Sequence, residues 1–453
     1  MKRRALNALC VAALFMVLLG TYRNVISPSY AYYGMGWKES NGVVLAIALL
    51  MNMSIAFVAN PVYSRPSQAF FAVQFLIVFL PASIVCPNTT LPDVPAADVF
   101  AMLAGMYVGL LIQTVVHVRA GHSQRSLRLG MFDRAAVFQA LAAFAVVTLA
   151  LSYYTLRDIF SFSALDSIYA QRELFDDQSL GFGYRYGLNW LSVVVLPALL
   201  IASLALKRRP QALAIAACVL GYVVLFGLTA TKTALLAPLI ILGFYSLLKR
   251  RRLSYLAVFA MFLSALLAVP LALAPFDSLA EINILYTGLV NFRIFSVPHI
   301  LYVQYLDFFQ THPLTYGSHI SIINKIVDYP FDAPVFLLVG EEFYPGSNMT
   351  ANAGMWAQDG ITAFGVFGIV GVSILFTAVM AVLDKAAEGH DGRSVGAMLS
   401  MMTLFISNAS LFTTLLTGGL LLAMALLRVT KRGATSFPRA TSERFALRVP
   451  KTT

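Results

Sequence analysis

The sequence has little charge and few cysteines for its length. Only 12% of its 453 residues are Asp, Glu, Lys or Arg, about half the share found in soluble domains. It lacks a Walker phosphate loop, a G-x-G-x-x-G fingerprint and a G-x-S-x-G elbow, so neither nucleotide hydrolysis nor serine-hydrolase chemistry is supported. The three cysteines, Cys10, Cys86 and Cys218, fall in apolar segments without metal-ligand spacing, a pattern typical of buried thiols.

Long apolar runs dominate instead, many with the roughly 18 to 22 residues that a helix needs to cross a bilayer. Only helices and closed barrels satisfy their backbone groups in lipid, and these runs are too long for barrel strands. The sequence therefore predicts an all-α, polytopic membrane helical bundle, with residues 1–428 as one membrane domain. About twelve transmembrane helices are predicted, over residues 5–26, 41–59, 69–86, 98–118, 135–156, 188–206, 211–228, 234–248, 255–275, 360–383, 395–410 and 412–428.

Charge distribution predicts how this bundle is oriented. MKRR precedes a run that is too long for a cleavable signal, so we interpret it as a first span with a cytoplasmic N-terminus. Of 32 Lys and Arg residues, 24 then fall in cytoplasmic segments, and 16 of 21 acidic residues fall on the other side. This asymmetry follows the positive-inside rule, so the net charge of +11 indicates topology rather than nucleic-acid binding.

This topology places both termini in the cytoplasm and leaves two enlarged periplasmic loops. The loops cover about residues 157–187 and 276–359, far longer than the helix connections of compact bundles. Residues 429–453 form a basic cytoplasmic tail, which we expect to be disordered and attracted to anionic lipid.

Within the second loop, one predicted helix combines an apolar surface with a polar stripe. The stripe comprises positions at spacings of three and four: Arg293, Ser296, Ile300, Gln304 and Asp307. We expect this helix either to lie along the outer membrane face or to lean into the bundle with its stripe toward a wet cavity.

Eight Lys and Arg residues remain on the predicted periplasmic side. Arg185, Lys232 and Arg293 adjoin apolar segments, where a cation is costly unless it snorkels, pairs or faces a polar cavity. Snorkelling explains any one of them, whereas several together favour a shared anionic ligand. Arg donates paired hydrogen bonds to phosphate and Lys adds a compact charge. The pattern predicts an outward-facing site for a phosphorylated, membrane-borne substrate.

Acidic and histidine residues on the same side are candidate bases. The carboxylates considered are Asp176, Asp177, Glu341, Glu342 and Asp359. Glu341 and Glu342 are adjacent, which can suit acid–base chemistry, although neighbouring acids in loops are usually just solvated. His299 and His319 are candidates for a base or for substrate contact. The histidines lack metal-ligand spacing and no compact Cys, Asp or Glu set accompanies them, so we expect no metal site.

Several stretches resemble the O-antigen polymerase family, the Wzy-type polymerases of oligosaccharide repeat units. Arg172 and Gly183 enclose ten residues, like the R-x10-G pattern of such loops, and GYRYGLNW follows at the start of a span. LTATKTALLAPLI is similar to the family's T-G-[SK]-[RK]-x-x-L-L turn, with Ala230 in place of the usual glycine. FRIFSVPHILYVQYLDFFQTHPLTYG and NAGMWAQDGITAFGVFGIVG look like its second loop and the stretch closing that loop. The resemblance covers most of residues 130–385.

The resemblance implies a GT-C-like glycosyltransferase of the bacterial inner membrane, with its active site facing the periplasm. Such enzymes transfer a growing glycan from undecaprenyl diphosphate to the nonreducing end of a new undecaprenyl-diphosphate-linked repeat unit. They serve O-antigen, capsule or exopolysaccharide synthesis beside a chain-length regulator, and neither a cofactor nor a nucleic acid takes part. We hypothesise a diphosphate clamp of Arg172, Arg185, Lys232 and Arg293, and a catalytic base among Glu341, Glu342, His299 and His319.

Two other functions are compatible with this architecture. An O-antigen ligase-like enzyme uses the same donor but transfers the glycan to lipid A core. A transporter of polysaccharide or another anion would need polar groups at mid-membrane and broken helices. The predicted spans are almost free of internal charge and the polar residues gather at the outer rim, which favours the polymerase.

Overall fold

The computed structural model describes residues 1–38, 42–119, 132–162, 171–172, 174–175, 181–206, 208–249, 254–347 and 349–430. This part of the chain is helical, and its one isolated β-bridge pairs Phe132 with Thr430. Residues 431–453 of the predicted tail, and residues 163–170, 173 and 176–180 of the first predicted loop, lie outside the described residues.

Nine described helices are long and apolar enough to cross a membrane, which confirms the predicted helical membrane bundle. They are α1 (Lys2–Tyr33), α3 (Ser67–Asn88), α4 (Ala96–Val115), α5 (Arg134–Leu156), α6 (Gly183–Ser203), α7 (Arg209–Thr229), α9 (Tyr255–Leu273), α13 (Trp356–Ala386) and α16 (Leu411–Val429). Two shorter apolar helices, α2 (Gly42–Val58) and α8 (Lys232–Leu248), coincide with further predicted spans. The count of twelve stays a prediction.

The remaining helices are shorter or interrupted. Helices α10 (Asp277–Phe295) and α11 (Val297–Thr311) form a pair bent by 43°, long enough together for a tenth span. A short helix, α12 (Val335–Phe343), follows them. The span predicted over 395–410 consists instead of α14 (Gly392–Met398) and α15 (Ser400–Phe405), which meet at Leu399.

Contacts between helix ends show that several segments rich in Lys and Arg lie together at one end of the bundle. Ser67 N donates to Asp384 Oδ1 at 3.1 Å, which places the start of α3 beside the end of α13. His390 Nε2 lies 2.8 Å from Leu427 O, which adds the end of α16 to the same group. We name this the basic end, because it carries the following cations: Lys2, Arg3, Arg4, Arg65, Arg134, Arg209, Lys385, Arg393 and Arg428.

Helix α3 forms the centre of the bundle, and its whole 18-residue apolar window is buried. Helix α11 packs against the second half of α3 and is buried from His299 to Leu306. Of the two placements expected for the striped helix, the structure therefore shows the one inside the bundle. Gln304 of the stripe is 3% exposed, whereas Arg293 is exposed.

Helix α13 is not one straight span, because its chain reverses at Phe364 and Gly365. Gly365 has φ 59° and ψ −143°, a conformation that suits glycine. On either side of the reversal the backbones touch, since a Cβ atom on Gly368 would overlap the Gly360 carbonyl oxygen. Trp356 Nε1 donates to Ser373 Oγ at 2.8 Å, further along the same antiparallel pair.

Residues 356–363 therefore form a short re-entrant arm that folds back along residues 366–373. Ser373 lies seven residues into the longer part, which corresponds to a depth of about 10 Å at 1.5 Å per residue. The span predicted over 360–383 thus begins after Gly365, and the residues before it line the interior of the bundle.

Candidate functional site

Two connected segments meet at the tip of the re-entrant arm. Thr315 N donates to Thr362 O at 3.0 Å and Tyr316 N donates to Ala363 O at 3.1 Å. These hydrogen bonds hold the segment after α11 against the arm, so that His319 faces Asp359 across the contact. The site lies at the end of the bundle opposite the basic end, because the arm's tip precedes the span whose far end carries Asp384.

Asp359 is a buried carboxylate held by the backbone of a third segment. It is 5% exposed and its Oδ2 accepts from Leu411 N at 2.6 Å. Leu411 is the first residue of α16, where the unpaired N–H groups of a helix favour a negative charge. Asp359 Oδ1 has no hydrogen-bond partner among the described residues.

His319 is oriented by Thr315. The Thr315 hydroxyl donates its single hydrogen to Thr362 O at 2.9 Å, so it can only accept from His319 Nδ1, which lies 2.9 Å away. We therefore assign the hydrogen of the neutral ring to Nδ1. Nε2 is then the basic nitrogen, and it lies 3.6 Å from Asp359 Oδ1.

The His319–Asp359 pair is thus arranged to take up one proton. Like Asp359 Oδ1, His319 Nε2 has no hydrogen-bond partner within the part of the chain that the structure describes. Two acceptor atoms facing each other repel, and a proton on either one turns that repulsion into attraction. The His319 side chain keeps 14% of its surface exposed, so the pair borders solvent on the histidine side.

His299, a second predicted candidate, is held differently. It is 1% exposed, its Nδ1 lies 3.0 Å from Phe295 O, and its Nε2 lies 2.9 Å from Ile77 O. A backbone carbonyl oxygen thus lies close to each ring nitrogen, and the neutral ring donates its single hydrogen to one of the two. Among the described residues, neither nitrogen faces a carboxylate. The geometry favours a structural role, joining α11 to α3.

The two predicted glutamates lie on α12. Glu341 lines an open cleft of about 410 Å³ and its Oε1 accepts from Gly346 N at 3.2 Å. Glu342 Oε2 lies 4.0 Å from Nδ1 of His312, and both side chains are more than a third exposed. Either glutamate is accessible to a substrate, but neither has a buried partner that would hold it for proton transfer.

The four predicted clamp residues lie at the end opposite the basic end. Arg172 follows Gln171, whose amide donates to Gly227 O at 2.6 Å, so Arg172 lies near the end of α7. Lys232 begins α8 just beyond that helix end, which puts these two cations in one neighbourhood.

Arg185 and Arg293 are positioned by other helices. Arg185 is exposed near the start of α6, a helix that Trp190 fastens to the start of α16 by donating to Leu416 O at 2.9 Å. Arg293 is exposed and follows Phe292, whose ring stacks on Tyr30 with centroids 3.9 Å apart. The described contacts therefore place Arg293 with α1 and Arg172 with α7, at the same end of the bundle but in different groups of helices.

Asp359 was one of the carboxylates considered from the sequence as a base, but it was not included in the predicted catalytic set. Its sequence signal is a single acid in the apolar stretch GMWAQDGITAFG, and that stretch looks like the first turn of a span. The tyrosines around Arg293 were also absent, because aromatic residues near span ends are typical of ordinary membrane interfaces.

No group of three or more His, Cys, Asp or Glu side chains that could hold a metal ion occurs among the residues described. Comparisons of the chain with protein-family models, with curated proteins and with solved structures find no match.

Proposed function

We propose that the protein is a membrane glycosyltransferase that polymerises lipid-linked oligosaccharide repeat units, with its twelve predicted spans in the bacterial inner membrane. The observation that carries the proposal is the His319–Asp359 pair, buried on a re-entrant arm at the bundle end that also carries Arg172, Arg185, Lys232 and Arg293. The positive-inside rule places the basic end in the cytoplasm and this pair toward the periplasm.

In the proposed reaction, the pair acts as the base. A hydroxyl group at the nonreducing end of the incoming repeat unit gives its proton to the pair as its oxygen attacks the anomeric carbon of the donor glycan. A new glycosidic bond forms, the bond from that carbon to the diphosphate oxygen breaks, and undecaprenyl diphosphate leaves with the bonding electrons. Imidazole and carboxylate together stabilise the transferred proton better than either group alone.

The cations would act on the leaving group. Charge develops on the diphosphate as the bond breaks, so fixed guanidinium and ammonium groups stabilise the transition state more than the ground state. Arg185 and Arg293 are both exposed near the ends of apolar helices, where a polyprenyl diphosphate headgroup would lie. The donor bond supplies the driving force, so the proposed reaction needs no nucleotide, and a chain-length regulator is the proposed protein partner.

A cell-free reaction with the purified protein in lipid nanodiscs tests the function. Undecaprenyl-diphosphate-linked repeat units alone should yield a ladder of longer lipid-linked glycans. A ligase would make no ladder from these units and would transfer glycan only when lipid A core is added. If no ladder forms with lipid-linked repeat units isolated from the cells that make this protein, the proposed polymerase function is refuted.

Arginine variants test the clamp. Arg185→Ala and Arg293→Ala should leave the protein in the membrane but abolish chain extension, because the leaving group loses its charge partner. Lys325→Ala is the matched control, since Lys325 is an exposed cation of the second predicted loop outside the clamp. Normal long glycan in both arginine variants would refute the clamp.

The re-entrant arm favours one other function. Secondary transporters place broken helices at membrane depth around the substrate site, and α13 is broken in this way at Gly365. A transporter would move a labelled lipid-linked glycan or anion across proteoliposomes without lengthening it. Flux without a ladder in the same preparation would therefore replace the polymerase with the transporter.

A further inference from the structure

A cluster of aromatic side chains includes Phe292, the residue before Arg293, and the proposed chemistry does not use this cluster. Tyr30 stacks on Phe292 at 3.9 Å and 15°, and Tyr33 meets Phe292 edge-on at 5.2 Å. Tyr344, just after α12, lies 5.3 Å from Tyr33. We call Tyr30, Tyr33, Phe292 and Tyr344 the tyrosine cluster; it joins the end of α1, the end of α10 and the second predicted loop.

A buried amide adjoins this cluster and has an unused acceptor. Gln304 Nε2 donates to the Tyr344 hydroxyl at 2.8 Å. Gln304 is 3% exposed, and its Oε1 has no hydrogen-bond partner among the residues that the structure describes. The hydrogen bond from Gln304 anchors Tyr344 to the buried side of α11 and fixes the position of its ring. Burial raises the pKa of Tyr344, which keeps its hydroxyl neutral.

The cluster combines flat apolar faces with polar groups at their edges. Phe292 is 7% exposed and lies between tyrosines that keep part of their surface open. Arg23 lies 5.5 Å from the centroid of the Trp37 ring on the same chain segment, and Arg293 follows Phe292 directly. A sugar ring presents an apolar C–H face for stacking and hydroxyl donors at its rim, so it matches both features.

An ordinary aromatic belt at a membrane interface would consist of rings that project separately into the headgroup region. Here the rings contact one another across three chain segments, and one of them, Tyr344, accepts a hydrogen bond from a buried glutamine. Helix α11, which carries Gln304, also leads directly into the segment with His319. A glycan bound at the cluster would therefore be connected to the reactive pair through one rigid element.

We propose that the tyrosine cluster binds a sugar residue of the lipid-linked glycan, which stacks on Tyr33 and on Tyr344, the tyrosine whose hydroxyl is held by Gln304. The inference rests on the proposed function for the identity of the glycan.

Direct binding tests the cluster without chain extension. The probe is the lipid-free oligosaccharide that mild acid releases from the polyprenyl-diphosphate-linked repeat unit, titrated calorimetrically into the full chain in nanodiscs. Tyr33→Ala and Tyr344→Ala should each raise the Kd about fivefold to tenfold, the loss expected for one aromatic contact. Tyr33→Phe keeps the ring and should bind like the unmodified protein.

Tyr153→Ala is the matched control, because Tyr153 is an exposed tyrosine paired with Phe160 at 5.3 Å, outside the cluster. Unchanged binding in both cluster alanine variants, an equal loss in Tyr153→Ala, or no binding by the unmodified protein would each overturn the inference. The ladder assay reports separately on the proposed function. If a ladder forms but binding is unchanged in the cluster variants, only the proposed sugar site is refuted. If the oligosaccharide binds through the cluster but no ladder forms, only the proposed polymerase function is refuted.

Discussion

His299 and His319 lie twenty positions apart in the same polar region of the sequence, yet the structure surrounds them very differently. His299 is buried between α11 and α3, with a backbone carbonyl oxygen near each ring nitrogen. His319 has one nitrogen fixed by a hydroxyl and the other 3.6 Å from a carboxylate oxygen. A histidine with only backbone carbonyl oxygens near its nitrogens joins helices, whereas one facing an unpaired carboxylate can exchange a proton with a substrate.

The proposed role of His319 and its partner is tested first at Asp359. Asp359→Asn keeps the size of the side chain and an oxygen for Leu411 N but removes the charge, so we expect the chain-extension rate to fall about a thousandfold. Asp384→Asn is the matched control at the basic end, where Asp384 accepts from Ser67. Ladder formation by purified variants measures both rates. If Asp359→Asn is as active as the unmodified protein, the His319–Asp359 pair is not the base.

The two histidines should then separate activity from stability. His319→Gln should slow chain extension about a hundredfold, because the proton loses its nitrogen acceptor. His299→Gln should keep the rate per folded molecule within a factor of about three, while the free energy of unfolding falls by about 1–3 kcal/mol because the buried ring and its hydrogen bond to the backbone are lost. Rates per folded molecule and denaturant unfolding in detergent measure the two effects. Loss of activity in His299→Gln at normal stability would reverse the assignment.

Part of this arrangement was predictable from sequence, and part was not. Long apolar runs and the distribution of Lys and Arg predict the helical bundle and its basic end, because both depend on local composition. A hydropathy profile does not predict the reversal of the chain at Gly365, because the residues on both sides of it are apolar. His319 and Asp359 are forty positions apart and meet only because the arm folds back, so neither periodicity nor spacing could pair them.

The reversal itself is testable at two glycines of the same helix. Gly365→Ala should lower the free energy of unfolding by about 1–3 kcal/mol, because its backbone conformation is unfavourable for a residue with a Cβ atom. Gly371 also has open space around its Cβ position but no positive φ. Gly371→Ala should therefore change stability little or raise it slightly. Equal effects of the two changes in denaturant unfolding would contradict the re-entrant arm.

The exposed glutamates should show the smallest effects. Glu341→Gln and Glu342→Gln should each keep chain extension within a factor of about three, because both side chains are exposed and are not held in place for proton transfer. Rates from the ladder assay test this directly. A hundredfold fall in the chain-extension rate of either variant would indicate that this glutamate, rather than the His319–Asp359 pair, is the base.

The central claim is that His319 and Asp359 act together in glycan transfer, and a double-mutant cycle on the chain-extension rate tests it most directly. If the two side chains share one proton, His319→Gln combined with Asp359→Asn should be about as slow as Asp359→Asn alone, because residues that act as a unit have non-additive effects. If the two losses multiply to about a hundred-thousandfold, the side chains act independently and the account is contradicted.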